Sequence, residues 1–139
     1  MNTEFILVVE DTALVRNQLR ARFETEGYHV VAAATIAEAM QCVQTRMPDV
    51  VVLDLCLVDY PAVQPSDGFT LLRLLRSTYS AADPAVIVFS VNDSPEMHVR
   101  ATALGVFATV AKKQGTTALA NAVREALAQR KEALAAAGE

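Results

Sequence analysis

Five short apolar runs, each separated from the next by a helix-like stretch, constrain this chain more than any other feature. The runs are Phe5–Val9, His29–Ala33, Val50–Leu53, Ala85–Phe89 and Val106–Val110, most of them rich in β-branched residues. The stretches between them carry helix punctuation. Leu14 or Val15, Leu19 and Phe23 form one apolar stripe, which ends near Gly27. Thr35-Ile36-Ala37-Glu38 has the form of a capping box. Ser94-Pro95-Glu96 offers a cap, a proline at the first helical position and an early acid, and Leu104-Gly105 closes that helix. A helix between every pair of strands predicts a parallel sheet with helices on both faces. The near-continuous apolarity of the strands fits burial on both sides.

In a parallel sheet every strand ends at the same edge, so the residues just past each run are brought together. Glu10-Asp11 comes after Val8-Val9, Asp54 after Leu53, Ser90 after Phe89 and Lys112 after Val110-Ala111. Three carboxylates, a hydroxyl and an ammonium are thus expected to converge. Taken singly, an acidic pair after a strand is usually a solvated turn, an aspartate a helix cap and a serine a structural group. Their convergence favours a built site. Bringing Glu10, Asp11 and Asp54 together is repulsive, and a divalent cation with hard oxygen ligands relieves that repulsion.

The order and spacing of these residues resemble the receiver domain of two-component response regulators, from Phe5 to about Gln129. The resemblance implies a flavodoxin-like, chemotaxis-regulator-like α/β fold: a doubly wound five-stranded parallel sheet in the order 2-1-3-4-5, with five helices. It implies that Asp54 accepts a phosphoryl group from a histidine kinase or phosphotransfer protein, in a reaction that depends on Mg2+. Asp11 would bind the metal directly, Glu10 would act through water or orient Asp11, and the backbone carbonyl of Cys56 would complete the protein's share. Lys112 would pair with Asp54 and then with a phosphoryl oxygen. Lys113 competes for that role, strand alternation favouring Lys112. Ser90 would contact the phosphoryl group and report its presence to the fourth helix. The implied product is a signalling domain, not an enzyme, that promotes its own phosphorylation and dephosphorylation and switches a protein-binding surface. A downstream protein or a fused output domain would read that surface, and a homodimer is left open.

Five departures from the family pattern bear on this reading. Lys113 stands where proline usually follows the site lysine, predicting a differently shaped loop. Val91 replaces the usual small residue after the serine. Thr109 replaces the usual inward-turning aromatic, and strand alternation puts Phe107 on the same face. The connection after Asp54 is longer than the common pattern by about six residues, with Val58, Asp59 and Tyr60 in it, a length associated with functional loops. Cys56 and Asn92 occupy positions associated with the lifetime of the acyl phosphate. These departures motivate an alternative, a receiver-like interaction scaffold without regulated phosphorylation. A small hydrolase lacks a placed base or triad. His29 and His98 lack ligand-spaced partners and read as structural or solvated.

At 139 residues and 53% hydrophobic, the chain is long enough for one domain with a real core. No apolar run reaches the ~20 residues a bilayer span requires, and Met1-Asn2-Thr3-Glu4 has no basic leader, so a cytoplasmic location with no membrane contact is expected. Cys42 and Cys56 then read as reduced thiols. A net charge of −4 with no basic stripe argues against direct nucleic-acid binding. Residues 1–129 are expected to form the domain. Residues 130–139, Ala-rich with Leu134 as their only large apolar side chain, read as a helical extension, the start of a linker or a frayed end.

Overall fold

A computed structural model describes residues 3–55, 68–79, 84–91 and 93–137. The strands are β1 (Phe5–Val9), β2 (His29–Ala33), β3 (Val50–Leu53), β4 (Ala85–Ser90) and β5 (Ala108–Ala111). The helices are α1 (Ala13–Thr25), α2 (Ile36–Thr45), α3 (Gly68–Thr78), α4 (Pro95–Ala103) and α5 (Gly115–Ala137), and a 3-10 turn (Lys112–Gln114) precedes α5. All four strand pairs are parallel and the order is β2-β1-β3-β4-β5, as expected.

Alternation along the strands sends side chains to two separate cores. Leu7, Val9, Val51, Leu53, Val86 and Val88 pack under α2, α3 and α4, with Leu72, Leu75, Met97 and Ala101 among their partners. Ile6, Val8, Val52, Ile87, Phe89 and Val110 pack under α1 and α5, against Leu19, Phe23, Leu119 and Val123. At about 25 cal/mol per Å2 of apolar surface buried, two such layers supply the driving force that holds the sheet rigid. That rigidity matters for the edge where the strands end.

The helix punctuation acts much as the sequence indicates. Thr35 Oγ1 accepts from the Glu38 amide at 3.1 Å, while the Glu38 carboxylate accepts from Ala34, one residue before the cap. Ser94 Oγ accepts from the Met97 amide at 3.2 Å, opening α4 ahead of Pro95. Gly27 and Gly105, at φ 93° and 77°, make the left-handed turns that end α1 and α4.

β5 starts later than expected, at Ala108 rather than Val106. Alternation therefore does not carry back to Phe107. Its ring packs into the α1–α5 core, whereas Thr109 faces α4, so the two do not share a face. α5 runs unbroken through Gln129. Lys131 pairs with Glu4 at 3.0 Å and Arg130 lies 3.8 Å from Asp49, so the turn after Gln129 is attached to the body. Beyond it Leu134 is 67% exposed.

Candidate functional site

The register brings the strand ends level. Val9 pairs with Leu53, Leu53 with Val88 and Ser90 with Ala111, so the residues after β1, β3 and β5 and the last residue of β4 share one edge. Backbone bonds extend the ladder one step further: Glu10 donates to Ala33 O at 3.0 Å and Asp54 to Val9 O at 3.0 Å. Both acids are thereby fixed by the sheet itself.

Glu10, Asp11 and Asp54 each offer one carboxylate oxygen within 4.8 Å of the others'. Glu10 and Asp54 are only 1% and 5% exposed, and Ser90 is fully buried. Lys112 Nζ donates to Glu10 Oε2 at 2.9 Å and to Asp54 Oδ2 at 3.2 Å. Lys113 instead pairs with Asp93 at 3.0 Å on the surface, which separates the two candidates in favour of Lys112. The 3-10 turn beginning at Lys112 is held by Gln114, whose side-chain oxygen accepts from the Ala111 amide at 2.8 Å. Lys113, which stands in place of proline, lies within this turn.

Lys112 bridges Glu10 and Asp54, and the protonation behaviour of Glu10 and Lys112 reflects it. Burial, reinforced by the Asp54 charge, raises the Glu10 carboxyl above its usual range, and the hydrogen bond from Lys112 only partly offsets this. Burial would lower the Lys112 ammonium, but the Glu10 hydrogen bond and the Asp54 and Glu10 charges outweigh it and raise it. Lys112 is thus firmly charged, while Glu10 remains under-compensated. Carboxylate oxygens within 4.8 Å of one another repel when charged, by roughly 3–4 kcal/mol at that limit with an effective dielectric near 20. A hard divalent cation suits this donor set of carboxylate oxygens.

Both Glu10 carboxylate oxygens already have partners, since Oε1 accepts from the Thr12 amide at 3.2 Å. Glu10 is thus held by Lys112 and the Thr12 amide close to Asp11 and Asp54. The Glu10–Lys112 pair was not visible in the sequence; only three-dimensional packing joins residues so far apart. Two further contacts lie beyond sequence reasoning. Gly68 meets the phosphoacceptor candidate's backbone so closely that a Cβ there would lie 2.5 Å from Asp54 O and 2.8 Å from Leu55 Cα. Arg16 Nη1 donates to the carbonyls of Glu10 at 2.9 Å and Asp11 at 3.3 Å. Val91 is 71% exposed beside Ser90. Cys56, Val58, Asp59, Tyr60 and Asn92, each given a role by the family resemblance, lie outside the described residues. Cys42 is a free, half-buried thiol that burial and the Glu38 charge push upward, away from reactivity. His98 Nδ1 lies 2.6 Å from Thr109 Oγ1, a structural role, and His29 stacks at 5.2 Å from Phe5.

Residues 6–124 match the response regulator receiver domain family. The KDP operon transcriptional regulatory protein KdpE of Escherichia coli (strain K12) is 33% identical over 122 residues, 88% of this chain and 50% of that protein. The virulence transcriptional regulatory protein PhoP of Salmonella typhimurium is 37% identical over 73 residues, 52% of this chain and 30% of that protein. The chain therefore spans half or less of the length of these curated relatives. Among solved structures, the receiver domain of Francisella response regulator 1452 aligns with a TM-score of 0.80 at 24% identity, covering 92% of this chain and 99% of that one. A CheY-like receiver domain protein from Methanospirillum hungatei JF-1 aligns with a TM-score of 0.83 at 22% identity, covering 94% and 98%. At these identities the structural likeness speaks to the fold. Among the described residues no helix is long and apolar enough to cross a membrane.

Proposed function

The chain belongs to the response regulator receiver domain family, and from that premise we propose that it is a phosphorylation-driven switch with Asp54 as phosphoacceptor. The observation that carries this reading is the buried Asp54 carboxylate, held 3.2 Å from Lys112 Nζ within a cluster of three acids. An Asp54 oxygen attacks the phosphorus of a phosphohistidine on a histidine kinase or phosphotransfer protein. The nitrogen–phosphorus bond breaks and an acyl phosphate forms. Such a transfer needs alignment and charge neutralisation more than covalent help. Lys112, already seated between Glu10 and Asp54, turns to a phosphoryl oxygen as a point charge. Ser90, one strand away, donates to another.

The donor set fits Mg2+, with Asp11 and Asp54 as direct ligands and Glu10 held by Thr12 and Lys112 behind them. When bound, the ion neutralises charge as the phosphoryl group arrives. The domain itself supplies the machinery for gaining and losing the phosphoryl group. The partners we assign are a cytoplasmic kinase or phosphotransfer protein and an output partner, downstream or fused. We assign residues 1–129 to the receiver unit and 130–139 to an Ala-rich extension or the start of a linker.

The test is intact-protein mass after incubation with Mg2+ and a small-molecule phosphodonor. One added phosphoryl group is expected, abolished by EDTA and by Asp54→Asn, with the variant still folded by circular dichroism. Labelling that persists in Asp54→Asn would reassign the acceptor. No labelling of the native chain would favour an interaction scaffold.

A further inference from the structure

We propose that Arg16 is a positioning residue for the cation site, fixing the backbone on both sides of Asp11; the proposal rests on the reading of that site as a metal site. A single nitrogen, Arg16 Nη1, donates to the carbonyl oxygens of Glu10 and Asp11, at 2.9 and 3.3 Å. These carbonyls belong to the two peptide planes that flank the Asp11 Cα. Peptide planes are rigid, so pinning both sets the two soft backbone torsions of Asp11 and with them the direction of its Cα–Cβ bond. From the opposite side, the Glu10 carboxylate holds the Thr12 amide at 3.2 Å. The loop is clamped by a cation on its carbonyls and by an anion on its amide.

Other features of the loop make this clamp necessary. Thr12, the N-cap of α1, makes no side-chain capping bond, and the first turn has no acid. The usual devices that fix a strand-to-helix turn are therefore missing. The other arginines of α1 behave as surface arginines do: Arg20 pairs with Glu24 and Arg22 with Glu26, each one turn along the helix. Arg16 instead reaches back to the strand end. Groups that orient a metal ligand without touching the metal typically matter about 10- to 100-fold in metal affinity.

The sign of the effect separates positioning from plain electrostatics. A guanidinium near a divalent-cation site repels the ion, so if charge were its whole contribution, removing it would tighten binding. Positioning predicts the reverse. Mg2+ is titrated into the metal-free native chain, Arg16→Ala and Arg16→Gln, following backbone amide resonances. The variants are expected to bind about 10-fold or more weakly, with metal-free shifts changed only around Glu10–Thr12 and the first turn of α1. Unchanged or tighter binding overturns the proposal, and so do shifts spread across the sheet, which would mean general support of the fold. If Arg16→Ala does not fold, Arg16→Gln is read by the same criteria. A native chain that shows no saturable Mg2+ binding sinks the metal reading and Arg16's role with it. Native binding with unaffected variants sinks Arg16's role alone.

Discussion

Burial and the Asp54 charge raise the Glu10 carboxyl even though Lys112 donates to it at 2.9 Å. Its ionised form is therefore a burden on the metal-free fold. The sign comes from linkage. With the folded-state pKa above the unfolded one, Glu10 favours folding at acid pH, and that contribution is lost as pH rises through the folded pKa. Glutamine, neutral at every pH, escapes the loss. Metal-free Glu10→Gln is accordingly expected to melt higher than the native chain at neutral pH, with the gap closing as pH falls from the raised folded-state value to the usual glutamate value. Thermal melts across that range in EDTA check it; a gap that is constant or widens in acid contradicts it. At this scale the sequence revealed which residues gather, because strand ends in a parallel sheet must share an edge. It did not reveal how they pair. That Lys112 bridges Glu10 and Asp54 while Lys113 goes to Asp93 depends on a 3-10 turn held by Gln114, and no periodicity encodes that turn.

Two element contacts decide how the site is coupled to its surroundings. α3 begins at Gly68, whose backbone lies against Asp54 and Leu55 and whose amide donates to Leu55 O at 2.7 Å. An alanine methyl there meets main chain, not a flexible side chain, so one element must move. Gly68→Ala is expected to cost about 1–3 kcal/mol, the range for overpacking, read as a lower midpoint in urea, and to slow labelling of Asp54 because its carbonyl is pushed aside. On the other side, Thr109 and His98 join β5 to α4 at 2.6 Å. Thr109→Val removes this half-buried bond and is expected to cost about 0.5–1.5 kcal/mol, with faster hydrogen exchange in α4 than in α5. Equal protection in both helices would show that the bond does not hold α4. The helices and strands themselves were legible, since capping residues and apolar periods are local signals. The faces near Phe107 were not, because β5 starts only at Ala108 and the ring follows the α1–α5 core rather than an alternation the backbone has not yet entered.

For the molecule as a whole, one sheet packed on both faces holds an edge where three carboxylates are crowded. Glu10 and Asp54 share the firmly charged Lys112, and Asp11 offers a carboxylate oxygen within 4.8 Å of theirs. The two apolar cores offset this local cost, and relief of the crowding is expected to add stability. A ligand that binds only the folded state returns stability as RT ln(1 + [L]/Kd), about 2.7 kcal/mol at 100 times Kd. For a domain of this size each kcal/mol moves the melting midpoint by roughly 2–8 °C. Saturating Mg2+ is therefore expected to raise the midpoint by several degrees, and EDTA to reverse it. Asp11→Asn should separate the two halves of this argument. Removing one of the crowded charges raises the metal-free midpoint, while removing a ligand abolishes the Mg2+ increment. A variant that neither gains stability in EDTA nor loses the increment in Mg2+ would mean that Asp11 takes no part in the repulsion and that the cation is held elsewhere. Because Asp11 adds to the crowding and is, on the proposed reading, also a ligand, the two effects are expected to appear together in one substitution.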